Sequence, residues 1–75
     1  MDFILVERQI DNPETKEVLF KVGDILDIDV WLDAKEHYGL DSIRGVIGTI
    51  DDCKYLAKSL FDLDKPRVLV MRRDI

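Results

Sequence analysis

The chain has 75 residues, 47% of them hydrophobic and 36% charged, with 16 acids against 11 bases for a net charge of −5. That size allows one domain with a thin stability margin, and the mixed apolar and charged content excludes a disordered chain. The negative balance argues against generic binding to nucleic acid or anionic membranes, which requires a surplus of Lys and Arg to displace counterions. Residues 24–52 hold eight acids against Lys35 and Arg44, whereas residues 53–75 hold six bases against Asp62, Asp64 and Asp74.

Cys53 is the single cysteine, so no intrachain disulfide or paired-thiolate metal site can form, and a reducing cytoplasm is the natural compartment. The apolar run Phe3-Ile4-Leu5-Val6 has no basic residue before it and is too short for a signal peptide or a membrane span. A soluble, unexported protein is expected.

In chain order, Phe3 to Ile10 reads as a strand, Asp11-Asn12-Pro13-Glu14 as a turn, and Thr15 to Val22 as a returning strand, together an N-terminal hairpin. Gly23-Asp24 marks a second turn. From Ile25 to Leu32 the alternation predicts a strand with Leu26, Ile28, Val30 and Leu32 on one face and Asp27, Asp29, Trp31 and Asp33 on the other. Asp33 and Glu36 have the spacing of a capping box, and Gly39 suits a helix C-terminus, so one helical turn is expected over 34–38 inside a long loop. Ile43 to Ile50 reads as a strand bent at Gly45 and Gly48. Residues 52–64 admit two readings. Asp51 or Asp52 could cap a helix with Leu56, Leu60 and Leu63 in phase, or Lys54 to Lys58 could be a short strand followed by an irregular turn. Pro66 ends either one, and Arg67 to Met71 is the last strand, with Ile75 tucked back on the body.

Val22-Gly23-Asp24, then Arg44-Gly45-Val46-Ile47-Gly48-Thr49-Ile50-Asp51, then Val68 to Ile75 resemble the SH3-like small-barrel superfold over about residues 20–75. In such barrels a V-G-D turn opens one strand, a long loop follows, and a G-x-I-x-x-I strand crosses to a final strand. The resemblance implies a mainly β fold, a small SH3-like barrel of five to six antiparallel strands. Residues 1–75 then form a single domain, with 1–22 a hairpin extension and 23–75 the barrel. The alternative is an α+β domain with a helix at 52–63 packed on an antiparallel sheet. The chain lacks the A-L-Y-D-Y run and the W-W pair of proline-binding SH3 domains, and it is acidic where KOW-type barrels are basic. The resemblance therefore implies a binding architecture with its ligand left open.

Trp31 among Asp27, Asp29 and Asp33, with Tyr38 close by in the loop, is the leading binding candidate. An exposed indole ringed by carboxylates would anchor a basic protein surface. The competing reading is that Trp31 covers a small cluster beneath the loop, beside His37 or Tyr38. The same acids lack the glycine and glutamate positions of an EF-hand loop. With one His and one Cys, neither a zinc site nor a nucleophilic relay can be assembled. No catalytic residue, metal or cofactor is expected.

The leading expectation is a non-enzymatic protein-interaction module, an acidic domain of a kind common in phages and other mobile elements. One specific form is an inhibitor whose carboxylates occupy a nucleic-acid channel where phosphates would lie. The alternative is a nucleic-acid-binding barrel using Lys65, Arg67, Arg72 and Arg73. A membrane partner is not expected.

Overall fold

Phe3-Ile4-Leu5-Val6 is apolar at every position and all four residues are buried. A strand facing water on one side alternates; one buried on both faces reads as a continuous apolar run. The computed structural model, which describes residues 2–71, places this strand, β1 (Phe3–Val6), inside a four-stranded sheet. β2 (Ile10–Asp11) and β3 (Val18–Phe20) form a separate small hairpin, and β4 (Ile25–Asp27) leads directly into α1 (Ile28–Tyr38). β5 (Gly45–Gly48), α2 (Ile50–Phe61) and β6 (Val68–Leu69) complete the described elements.

The main sheet runs β5-β1-β4-β6. β1 is antiparallel to β4 and to β5, with Ile4 opposite Leu26 on one side and opposite Ile47 on the other, while β4 and β6 are parallel. The chain therefore moves from β4 across β1 to β5 through α1, and back across β1 and β4 to β6 through α2. Two crossovers of the same hand travelling in opposite directions along a sheet must lie on opposite faces. The core follows that rule. Ile4, Val6 and Leu26 meet Trp31 and Ala34 of α1, joined by Phe20 from the hairpin. Phe3, Leu5 and Ile25 meet Cys53 and Ala57 of α2.

The domain is thus α+β, with two sheets and two helices, and the described residues form no closed barrel. The expectation of a mainly β barrel is corrected by the two helices, and the physical reason lies in β1: a strand buried on both sides needs a covering layer on each. Of the two readings of 52–64, the helix is the observed one. It begins earlier than expected, because Thr49, not Asp51 or Asp52, is the N-cap, its hydroxyl accepting the Asp52 N–H at 3.1 Å. The left-handed cap is Asp62, whose N–H donates to the Lys58 carbonyl at 3.0 Å.

The largest correction falls on 25–32. The strand stops at Asp27, whose carboxylate accepts the Asp29 N–H at 3.0 Å and caps α1. Ile28, Trp31 and Ala34 then follow at helical spacing toward the sheet. Asp33 and Glu36 sit mid-helix and exposed, so they cap nothing, whereas Gly39 is the left-handed C-cap as expected. The N-terminal hairpin is present in a shorter form. Asn12 Oδ1 accepts the Glu14 N–H at 2.9 Å in the turn, and Ile10 pairs with Phe20, but Phe3–Val6 leaves that hairpin for the centre of the main sheet.

Gly23 has a φ of +92°, and a Cβ there would collide with the Leu63 side chain. Beside it the buried Asp24 carboxylate accepts the Lys21 N–H at 2.8 Å and an Arg67 N–H at 2.6 Å, tying the approach to β6 to the turn before β4.

Candidate functional site

The expected acidic face does not exist as one surface. A helix advances 100° per residue where a strand alternates by 180°, so the five candidates scatter. Asp27 is buried as the α1 cap and Trp31 is only 6% exposed, in the core against Ile4, Val6 and Leu26. Asp29 lies in the first turn, and Asp33 is on the solvent side of α1 with Glu36 and His37. Tyr38 ends the helix, its ring edge-on to His37 at 4.6 Å between centroids. The outward indole among carboxylates is therefore corrected to a core indole. Asp29, Asp33 and Glu36, spaced four and three apart, form an acidic stripe along the helix instead.

The small accessible part of Trp31 nevertheless reaches a cleft of about 430 Å³. One wall comes from the segment joining β1 to the hairpin (Arg8, Gln9, Ile10, Asp11) with Pro13, the other from the loop Gly39 to Arg44 after α1. Trp31, Ile10, Leu40 and Ile43 supply apolar surface continuous with the core, and the rim carries charges of both signs, Arg8 and Arg44 together with Asp11 and Asp41. Each wall has a local cause. Gly39 in the left-handed conformation ends α1 and turns the chain, Leu40 N–H donates to the Lys35 carbonyl at 3.0 Å, and Leu40 packs against the core cluster that contains Trp31. On the opposite wall, the Glu7 N–H donates to the Arg44 carbonyl at 3.1 Å, so the β1–β5 ladder holds the two arginine-bearing segments together at the cleft mouth.

An apolar floor with a few charged groups around it is the usual make-up of a recognition pocket. Only Trp31 of this lining was singled out by sequence reasoning. Ile10, Leu40, Ile43, Arg8 and Arg44 lie in segments read as strand or loop and come together only through the pairing of β1 with β5. A partial signal was available in Gly39-Leu40, a helix stop followed by an apolar residue with no element of its own to pack in.

The basic candidates fare differently. Arg67 is engaged with Asp24 and also donates to the Leu19 carbonyl at 3.4 Å. Lys65 is exposed beyond α2, and Arg72 and Arg73, with the expected tuck of Ile75, lie outside the described residues. Lys58 is held above the ordinary lysine range by Asp64 and then Asp62, with which it forms ion pairs at 2.7 and 2.9 Å. Cys53 is fully buried beneath β1, and burial, reinforced by the neighbouring Asp52 charge, pushes its thiol above the ordinary value. Among the described residues no three His, Cys, Asp or Glu side chains converge to hold a metal ion, and no helix is long and apolar enough to cross a membrane.

No protein-family model matches the sequence, and neither the curated proteins nor the solved structures yield a match.

Proposed function

We propose that this protein is a non-enzymatic interaction module that binds a basic surface of another protein and takes an apolar side chain of that surface into the Trp31 cleft. The observation that carries this reading is the cleft itself, apolar at its floor and charged at its rim. Binding energy at protein interfaces concentrates where an apolar anchor fills a desolvated pocket, and the rim governs orientation. The overall charge of −5, with Asp33 and Glu36 exposed along α1, favours a basic partner and speeds its encounter. The nucleic-acid reading has less support, since Arg67 is already bound to Asp24.

Ser42 lines the cleft and is exposed, so Ser42→Phe obstructs it without removing any core contact. The immobilised wild-type chain is expected to retain basic proteins from cells of its source, with retention declining between about 50 and about 500 mM salt. Ser42→Phe is expected to lose those proteins while its melting temperature stays close to the wild type. An unchanged set of captured proteins in the variant, or tight duplex DNA binding at physiological salt, refutes the proposal.

A further inference from the structure

The outer edge of β5 adjoins the cleft through Arg44, and two backbone hydrogen bonds fix its phase. Glu7 N–H donates to the Arg44 carbonyl, while Val6 N–H donates to the Asp24 carbonyl on the other side of β1. Antiparallel ladders alternate hydrogen-bonded and non-hydrogen-bonded pairs. Arg44, Val46 and Gly48 thus turn their backbone groups toward β1, opposite Glu7, Leu5 and Phe3. Gly45 and Ile47, opposite Val6 and Ile4, turn theirs outward. β5 ends the sheet, and among the described residues no strand pairs with that outer edge. Natural edges are commonly blocked by lysine, proline or a bulge. Gly45-Val46-Ile47-Gly48 has neither lysine nor proline, its ladder with β1 runs in unbroken register, and Ile47 is 60% exposed.

We infer that β5 accepts an extended basic segment of the partner protein as an added antiparallel strand. This rests on the interaction reading above and specifies the form of the partner. Gly45 and Ile47 share the face of Val6 and Ile4, which is the α1 side of the sheet and the side of the cleft. Residues of an added strand opposite them project to that same side, where apolar side chains cover Ile47 and the one nearest Arg44 reaches the cleft. The intervening residues project to the α2 side. There Asp51 and Asp52 open the helix, and Asp52 lies against Gly48. From Asp41 to Asp52 the chain carries three acids and one base, Arg44. Basic residues at the intervening positions match the charge of Asp51 and Asp52. A second copy of this chain would instead bring the same acids against each other, so the occupant is a basic strand of alternating character.

A short fluorescein-labelled peptide of alternating valine and lysine is the probe, titrated by fluorescence anisotropy. Its valines face Gly45 and Ile47 in hydrogen-bonded pairs, so N-methylation of the valine amides is expected to weaken binding by about tenfold or more, and N-methylation of the lysine amides to leave it unchanged. The Gly45 and Ile47 amide protons are expected to gain exchange protection when the parent peptide binds. Equal binding of both methylated peptides overturns strand addition while leaving the cleft reading standing, because that reading is decided separately by Ser42→Phe. No binding of the parent peptide also overturns it. A dimer of the chain alone that Ile47→Lys converts to monomer assigns the edge to a second copy and overturns the basic occupant.

Discussion

Trp31 has two roles at the level of the single residue, and they set opposite requirements on any substitution. Its ring is buried against Ile4, Val6 and Leu26, and its remaining accessible part lines the cleft. Removing a buried tryptophan leaves a large cavity, so Trp31→Ala is expected to lower the unfolding free energy by about 3–5 kcal/mol, measured by urea denaturation. That is a large share of what a small domain possesses, so loss of binding in this variant would report unfolding rather than recognition. The cleft is better probed at Ser42, which is exposed. A tryptophan in an alternating run of acids gives no local indication of its direction, because the same residues satisfy a strand with the indole outward and a helix with it inward.

Among the elements, the caps settle what periodicity left open. Asp27 and Thr49 each hold the first turn of a helix by accepting a backbone N–H, and Gly39 and Asp62 close the helices in the left-handed conformation. Thr49 is exposed and its hydroxyl makes the capping bond to Asp52 N–H. Thr49→Ala is therefore expected to cost about 1 kcal/mol, read as a lower urea midpoint with an unchanged slope. Much of this level was legible. The Asn12-Pro13 turn, the Gly39 stop, the strand around Gly45–Gly48 and a helix after Asp52 all stand in the sequence, although that helix buries Cys53 and Ala57 while Leu60 is exposed and Leu63 lies past the Asp62 cap. What misled was Ile25–Leu32. Its alternation is a good strand pattern, and only Asp27, the acid before Ile28-Asp29, hinted at a cap. The cleft was less legible still, since its walls are loop segments made neighbours by the distant pairing of Val6 with Gly45.

Across the whole molecule, the three-layer arrangement explains why a single thiol is sealed away and how stability should depend on pH. Cys53 packs under Phe3, Leu5 and Ile25, where burial and then Asp52 raise its pKa above the ordinary 9.0. The folded chain therefore holds the thiol proton where the unfolded chain has released it. This contribution is fully present below 9.0 and is lost as pH rises from there through the higher folded value. Melting temperatures measured against pH should fall more steeply above that point for the wild type than for Cys53→Ala, which lacks the group. Equal slopes would show that the thiol is not protected from ionisation by the fold. The same layering sets which parts of the sheet stay uncovered. Each face of the sheet carries a helix, leaving the sheet edges and the loop ends, and the cleft and β5 lie together at one such corner.

The amino-acid sequence by itself determined that this is a small acidic domain with a continuous apolar strand, a turn at Asn12-Pro13, a stop at Gly39 and a lone cysteine. Each of these depends on local composition or on conformational limits within a few residues. Tertiary structure decided the rest. Whether Ile28–Leu32 became strand or helix depended on what β1 required on its two faces. Trp31 turned inward because one of those faces had to be covered, and the cleft arose where that covering helix ends against a paired strand. Burial of both faces of β1 is a global condition, and no window of a few residues contains it.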